Sequence, residues 1–458
     1  MSYLLLLLTI ILIWAVVYPV TNYALLSPPS LILLMFAFAT LLATIGEAYW
    51  NRVEVTPEAY FVILTGCLGV LVAAVVARGL FPDGFRLKST TKGISAIKKI
   101  ADIPDRGWYA LCLFVVIAAA LNIWEMVSMS QAAGFSSTNI MEIAQWARGN
   151  VTTLLTSGSE DTESYSALSS ALTKIITFCG YAAVIGLSAK IKCKKRRRTD
   201  YYSVICLLVL SSAFSLLKGG RDTIAHYVVA FVIVLFAFYI IDSKNRNKTS
   251  LQFVKICAIA LLITLPLFYF ALELVGRLRS VPLLDYISFY LGGGIPSLSY
   301  ALEHPPVADS MAFPGERTFT QLFALINKIG FDIPVDTYAG AFIKLGNHSS
   351  NIYTCFYRYY YDFGFVGVFL FSSLSTLVFC ACFQAVEKNP SMPVKIFALY
   401  VCSYAADAVR EEFIFSRLLS ASLLWAIIAS LIIGGILMYT KVNAGFQLTR
   451  KKDRPHSC

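Results

Sequence analysis

The chain has 458 residues, of which 57% are hydrophobic and only 14% are charged, and its formal net charge is +11. A soluble domain carries roughly 25% charged residues, so this composition excludes an ordinary soluble globular protein. The positive charge alone could suggest a nucleic-acid partner, but its distribution argues against one, because the basic residues cluster in short connectors between apolar blocks.

The apolar residues form about eleven blocks of roughly 20 residues, the length that crosses a hydrocarbon core. Continuous apolar blocks favour helices over a membrane β-barrel, whose strands alternate in polarity. The sequence therefore predicts an all-α polytopic membrane protein with a single integral membrane domain over 1–458. The first block lacks the features of a cleaved signal peptide and is predicted to be a retained span. The predicted spans are 3–20, 29–46, 59–80, 108–129, 166–189, 200–217, 222–241, 252–274, 362–386, 392–409 and 418–440.

Lysine and arginine indicate the direction of these spans. The connectors rich in them are 78–106, 190–198, 242–255, the turn near residue 390 and the carboxyl-terminal tail. With eleven spans, all five fall on one side, which the positive-inside rule assigns to the cytoplasm. The amino terminus is then outside and the carboxyl terminus is cytoplasmic. Two long segments face outward: 130–165, and 275–361 between the eighth and ninth spans, which is predicted to be helical and loop-like and to contribute to the site.

The predicted outer side carries arginines where the usual bias disfavours them. They are Arg221, Arg277, Arg279, Arg317, Arg358, Arg410 and Arg417. A guanidinium is a planar fork of donors that matches phosphate oxygens, so a set of them close to the membrane suits a lipid-linked phosphate or pyrophosphate. The alternative is that such arginines reach to the membrane interface without binding a ligand, and Arg358 and Arg417 fit that role best. Arg221 is the strongest ligand candidate, because two glycines precede it and it begins a helix, whose free N–H groups favour anions.

Acidic residues and one histidine accompany these arginines. Carboxylates such as Asp407 and Glu411 are predicted either to hold an arginine in place by pairing or to act directly in catalysis. His348 is the best-suited general base on the outer face, although a loop histidine is often merely polar. Asp362 is predicted to cap the span that it opens.

The segment 346–367 is polar and rich in aromatic residues directly before an apolar block. Its rings suit the membrane interface, where amphipathic aromatic side chains collect. They also suit sugar recognition, since ring faces pack against apolar sugar faces. The two interpretations are compatible.

Three stretches resemble a known family. NHSSNIYTCFYRYYYDFGFVG, within 346–367, resembles the asparagine, tyrosine–threonine and aspartate–phenylalanine–glycine pattern of bacterial oligosaccharide repeat-unit polymerases, the O-antigen polymerase (Wzy-type) family. KGGRDTIAHY, within 217–227, is similar to the glycine–arginine motif of that family. AVREEF, around 407–412, loosely resembles its arginine near the penultimate span. The amino-terminal third shares only the general architecture.

The resemblance implies a many-helix (GT-C-like) membrane glycosyltransferase of the bacterial inner membrane, which joins oligosaccharide units carried on undecaprenyl pyrophosphate at the periplasmic face, as in O-antigen and lipopolysaccharide biosynthesis. Its expected partners are the lipid-linked oligosaccharide, the bilayer and a chain-length regulator protein. No cofactor is expected, and no metal, because the paired aspartates of a divalent-metal site are missing from the sequence.

The resemblance also suggests roles for individual residues. The catalytic candidates are His348, Glu411, Arg221 and Arg410. The substrate-binding candidates are Arg277, Arg279, Arg317, Asn347, Asn351, Tyr353, Arg358, Tyr360 and Asp362. Two other functions remain open at this point: an O-antigen ligase-type glycosyltransferase, and a flippase for lipid-linked oligosaccharides. Transporters place polar sites near the bilayer midplane across internal repeats, and the sequence shows no convincing repeat.

Overall fold

The computed structural model of the protein describes residues 2–50, 54–81, 91–147, 166–194, 199–241, 243, 246–274, 281–304, 314–333, 343–346 and 348–452. Almost all regular structure in these residues is helical. The helices are α1 (Tyr3–Val20), α2 (Pro28–Gly46), α3 (Pro57–Leu80), α4 (Thr91–Ala101), α5 (Asp105–Ala132), α6 (Ala167–Lys192), α7 (Thr199–Leu217), α8 (Arg221–Ile240), α9 (Arg246–Leu274), α10 (Leu283–Gly292), α11 (Gly294–Glu303), α12 (Thr320–Asn327), α13 (Phe356–Lys388), α14 (Met392–Ser403) and α15 (Ala421–Lys452). A further helical stretch lies at 140–147.

Ten helical segments in the described part of the chain are long and apolar enough to cross a membrane, so the protein is a multi-pass, all-α membrane protein. These ten coincide with ten of the predicted spans. The predicted span 252–274 lies within α9, which is not among the ten. The count of eleven therefore stays a prediction, and so does the orientation, because the parity argument needs α9 to cross the membrane.

Small residues allow the central helices to approach closely, as is usual inside membranes. A Cβ atom built on Gly66 of α3 would lie 2.3 Å from the ring of Phe356, the first residue of α13. That ring stacks on Phe36 of α2, with centroids 4.9 Å apart. The start of α13 is thus fixed against α2 and α3, and the polar segment that precedes it is anchored to the bundle.

The regular helices break at the same end of the bundle. After Ser403 the chain forms a 3₁₀ turn, Tyr404–Val409, and then a π turn, Ile414–Leu418, before α15 begins. α13 contains non-helical backbone at Gly364, with φ of 61°. Irregular backbone at membrane depth is tolerated where protein covers it or where it lines a polar cavity. These breaks therefore mark this end as the place for a site.

The predicted outer segment 275–361 is more ordered than a loop. Its described part contains α10, α11, α12 and an antiparallel hairpin of β1 (Ile343–Leu345) and β2 (His348–Ser350). The hairpin is a departure from the helical and loop-like prediction. α10 ends tightly against α2, since a Cβ on Gly292 would lie 2.7 Å from the backbone nitrogen of Ala43. In the other predicted outer segment, 130–165, the described stretch 140–147 packs Ile143 against Met126 of α5.

Candidate functional site

A cavity of about 270 Å³ opens where α8 begins and where the chain is irregular after α14. We call it the arginine cavity. Its lining residues are Gly219, Arg221, Asp222, Tyr290, Asn351, Ile352, Arg410, Glu411 and Arg417. Four of the predicted site residues, Arg221, Asn351, Arg410 and Glu411, therefore line one cavity, although they come from three separate stretches of the chain.

Arg221 is placed by the two glycines that precede it. Gly219 has φ of +81°, a conformation that favours glycine, and Gly220 is the residue before the first turn of α8. The Arg221 side chain is buried and donates hydrogen bonds to the hydroxyls of Tyr286 (3.0 Å) and Tyr290 (3.4 Å) on α10. Burial raises the pKa of Tyr286 despite the opposing effect of the Arg221 charge, so the phenol is a neutral acceptor and the guanidinium keeps its full charge.

Arg410 differs from Arg221 because its guanidinium donates no hydrogen bond to any residue that the structure describes. Its Nη1 lies 3.7 Å from a carboxylate oxygen of Asp407 and 4.0 Å from one of Asp222, beyond hydrogen-bond distance. Nε is buried with no hydrogen-bond partner among the described residues. Burial tends to lower the pKa of Arg410, but Asp407 and Asp222 more than offset this and raise it, so the side chain stays charged. A largely buried cation with unsatisfied donors is suited to bind an anion.

Tyr290 connects the two arginines and was missed by the sequence reasoning. The centroid of its ring lies 5.9 Å from the Arg221 guanidinium carbon and 6.0 Å from that of Arg410. The signal was present as two tyrosines four residues apart in LLDYISFYLG, a spacing that puts Tyr286 and Tyr290 on one helix face. The two tyrosines lie within the predicted outer segment 275–361, far from the motifs that carry the arginines.

Adjacent glutamates at the helix break have different environments. Glu411 lines the arginine cavity and forms an ion pair with Arg417 at 2.5 Å, with both side chains about half exposed. Glu412 is buried, accepts a hydrogen bond from the Tyr359 hydroxyl, and accepts two more from backbone N–H groups of the π turn. Glu412 therefore stabilises the backbone, whereas Glu411 is available at the cavity.

His348 lies beside α10 and is not among the described residues that line the cavity. Its Nε2 is 2.9 Å from a carboxylate oxygen of Asp285, and its ring stacks on Phe289 with centroids 4.2 Å apart. Asp285 and Phe289 share one face of α10. The adjacent face carries Tyr286 and Tyr290, which accept hydrogen bonds from Arg221. When Asp285 is ionised, Nε2 carries the proton and Nδ1 is the basic nitrogen. No described residue hydrogen-bonds Nδ1.

Asn351 follows β2 by one residue and reaches the arginine cavity. No described residue hydrogen-bonds its side-chain amide. An amide carries both donors and acceptors, so Asn351 can bind either phosphate oxygens or sugar hydroxyls.

A second group of predicted substrate-binding residues forms what we call the clamp: Arg317, Arg358 and Asp362. Asp362 accepts backbone N–H bonds from Thr318 at 2.6 Å and from Arg317 at 3.4 Å. Arg358 donates to the carbonyl of Arg317 at 2.8 Å. The Arg317 guanidinium donates to the Tyr357 hydroxyl and lies 3.4 Å from the ring centroid of Tyr361. The clamp holds the segment 314–320 against α13.

The prediction that Asp362 caps its span is wrong. α13 begins at Phe356, so Asp362 lies in its second turn, and its carboxylate caps the N–H groups of a different segment. The span was predicted to begin later because the tyrosines and Arg358 lower the local hydropathy, although they form helix.

The two predicted sugar-contacting tyrosines have partners within the protein. Tyr353 is buried, and its ring stacks on Tyr357 with centroids 4.4 Å apart. The Tyr360 hydroxyl donates to a carboxylate oxygen of Glu58 on α3. Tyr353 therefore has little ring surface for a sugar, and Tyr360 joins α13 to α3.

The remaining predicted ligand contacts, Arg277, Arg279 and Asn347, lie outside the described residues, so their roles stay predictions. Across the described ranges, no group of three or more His, Cys, Asp or Glu side chains could hold a metal ion. That the protein works without a cofactor or a metal ion stays a prediction.

Comparison of the chain with protein-family models, with curated proteins and with solved structures gives no match in any of the three. The resemblance to repeat-unit polymerases therefore rests on the quoted motifs alone.

Proposed function

We propose that the protein is a membrane glycosyltransferase with a GT-C-like fold, which polymerises undecaprenyl-pyrophosphate-linked oligosaccharide repeat units into O-antigen or a related surface polysaccharide. The observation that supports this most directly is Arg410: a charged, largely buried guanidinium with unused donors, in a cavity that also holds Arg221. The cavity belongs to a multi-pass membrane protein, where a lipid-linked phosphate is the anion that a bilayer delivers.

In the proposed reaction, the donor pyrophosphate occupies the arginine cavity. Arg410 binds phosphate oxygens with its free fork, while Arg221, held by the tyrosines of α10, supplies a fixed positive charge. When the bond between the anomeric carbon and the pyrophosphate oxygen breaks, the electron pair leaves with the oxygen and negative charge develops on the pyrophosphate. Cations already oriented toward that charge lower the barrier.

The acceptor hydroxyl of a second lipid-linked unit forms the new bond to the anomeric carbon. Its proton goes to Nδ1 of His348, which Asp285 orients through Nε2. Asn351 follows β2, the strand that begins at His348, and lines the cavity. There it orients a sugar or phosphate group. Glu411 is the alternative base, since it lines the cavity directly, but its carboxylate is already paired with Arg417.

The proposal includes a location: the bacterial inner membrane, with the cavity at the periplasmic face, the amino terminus outside and the carboxyl terminus in the cytoplasm. A reporter that is active only in the periplasm, fused after α15, is expected to be inactive, and the same reporter fused in the segment 314–333 is expected to be active. Activity of the first fusion would contradict the proposed orientation, either because α9 does not cross the membrane or because the whole bundle is inverted. A chain-length regulator is the proposed protein partner.

Reconstitution tests the activity. The purified protein in liposomes, supplied with lipid-linked repeat units only, is expected to produce a ladder of joined units, and Arg221→Lys and Arg410→Lys are expected to abolish the ladder. Movement of single units across the bilayer without joining would indicate a flippase instead. Transfer only to a lipid-core acceptor would indicate a ligase. Full-length polymer from either variant would refute the role of that arginine.

A further inference from the structure

A histidine and a carboxylate form a close pair behind Arg410. Nε2 of His226 lies 2.5 Å from one carboxylate oxygen of Asp407, and the other oxygen faces Nη1 of Arg410 at 3.7 Å. Both partners are largely shielded from solvent, with side chains 10% and 23% exposed. One carboxylate therefore stands between a titratable ring and the cation of the arginine cavity.

The pair also joins the two pieces of chain that carry the cavity arginines. His226 is on α8, which begins at Arg221, and its ring packs on Tyr404 with centroids 4.2 Å apart. The backbone carbonyl of Asp407 accepts the N–H groups of Arg410 and Glu411 at 2.7 and 2.9 Å. These hydrogen bonds fix the separation between Asp407 and Arg410. A change of charge at one residue therefore changes the electrostatic energy of the other without a large movement of the chain.

We infer that His226 and Asp407 set the net charge that the arginine cavity presents to an anion, and that they are positioning residues for anion binding by Arg410. With His226 protonated, the Asp407 charge is balanced by the ring, and the Arg410 charge is available to an anion. With His226 neutral, Arg410 alone balances Asp407. Anion affinity should therefore rise on acidification.

The other charged or titratable groups around the pair are few. Among the described residues they are Arg410, Glu411, Arg417, Tyr181 and Tyr404 near Asp407, Tyr400 against Tyr404, and Asp222 and Arg221 on α8 itself. Arginines and tyrosines keep one protonation state between pH 5.5 and 7.5, so within this set a histidine is the kind of side chain through which acidification can act. His348, which contacts Asp285 and Phe289 on α10, is a second histidine near the cavity and needs its own control.

The inference rests on the proposed anion site but not on sugar transfer, so it can be tested with a simple ion. Radiolabelled sulfate keeps its charge throughout this pH range, and its binding to the purified full-length protein in detergent can be followed at constant ionic strength. Wild-type affinity is expected to increase about fivefold from pH 7.5 to 5.5, the size of effect that one added charge has at a partly buried site. His226→Gln, which can still donate to Asp407, is expected to remove the increase, whereas His348→Gln should retain it.

Asp407→Asn provides a second test, because a purely structural role for Asp407 would not predict a gain of sulfate affinity. Removing the opposing charge is expected to raise sulfate affinity at pH 7.5 to about the wild-type value at pH 5.5. Asp105→Asn, which breaks a separate ion pair with Lys190, is the matched control and should leave affinity unchanged. A pH-independent wild type, an unchanged slope in His226→Gln, or a loss of affinity in Asp407→Asn would overturn the inference. If Arg410→Gln binds sulfate as tightly as wild type, the proposed anion site itself is wrong.

Discussion

The arginine cavity and the clamp contain the same kinds of side chain at the same end of the bundle, but they use them differently. In the clamp, the Asp362 carboxylate is occupied by two backbone N–H groups and Arg358 donates to the Arg317 carbonyl. In the cavity, the Arg410 guanidinium and the Asn351 amide make no hydrogen bond to a described residue. Arg358 thus uses its donors to hold the fold, whereas Arg410 keeps donors available to a ligand.

The strongest test of the difference between the arginine cavity and the clamp is to replace one arginine in each by lysine. Arg410→Lys keeps the positive charge but loses the planar fork, and polymerisation is expected to fall about 100-fold or more, the usual cost of removing a fixed donor to developing charge. Arg358→Lys should leave activity per folded molecule within about threefold. The rate at which the lipid-linked ladder forms measures both. Equal losses from the two variants would remove the distinction between cavity and clamp.

The opposite order is expected for stability. Asp362→Ala leaves the buried N–H groups of residues 317 and 318 without an acceptor, and the free energy of unfolding is expected to fall by about 2–4 kcal/mol. Asp222→Ala, in the cavity and 58% exposed, is the matched control and should change stability by less than about 0.5 kcal/mol. Denaturant unfolding of the detergent-solubilised protein gives both values. A larger loss from Asp222→Ala would contradict the assignment of the clamp as structural.

The membrane class and ten of the spans were predictable because hydropathy over a 20-residue window is a local property of the chain. Topology and motifs predicted a larger set of site residues on the outer face, of which Arg221, Asn351, Arg410 and Glu411 line one cavity and His348 does not. Their roles, and the polymerase function, stay predictions.

What the sequence could not show is how each donor is used. Glu411 and Glu412 are neighbours of the same type, yet one lines the cavity and the other caps a π turn, because the irregular backbone after Val409 turns them to different sides. The Asp285–His348 contact joins residues 63 positions apart and has no local signature. Tyr290 was missed for a related reason, since the value of its ring depends on two arginines far away in the chain.

A smaller effect is expected at the Asp285–His348 contact. It distinguishes the orientation of the proposed base from the binding of the lipid-linked donor. Asp285→Asn is expected to lower the rate about tenfold, because the Nε2 contact no longer selects the tautomer with a basic Nδ1 or stabilises the protonated ring. The Michaelis constant for the lipid-linked donor should stay nearly unchanged. His348→Gln, which removes the proposed proton acceptor, should lower the rate further. A rate that is unaffected in both variants would transfer the role of base to Glu411.

The smallest expected effect concerns Lys218, which directly precedes the cavity residue Gly219 and does not line the cavity itself. Burial lowers the pKa of Lys218 to about 8, with Glu125 acting in the opposite direction. An unfolded lysine titrates near pH 10.4, so between about pH 8 and 10.4 the unfolded chain holds a proton that the folded chain has released, and this group makes stability rise with pH across that window. Anion binding should change in the other direction. From pH 7 to 9 the charge beside the cavity is lost, and sulfate affinity is expected to fall about twofold, a modest change because the ammonium lies outside the lining. Lys218→Arg keeps its charge at both pH values and should remove the fall, whereas Lys344→Arg on the exposed face of β1 should not. If the fall persists in Lys218→Arg, Lys218 is not the group whose lost charge weakens anion binding.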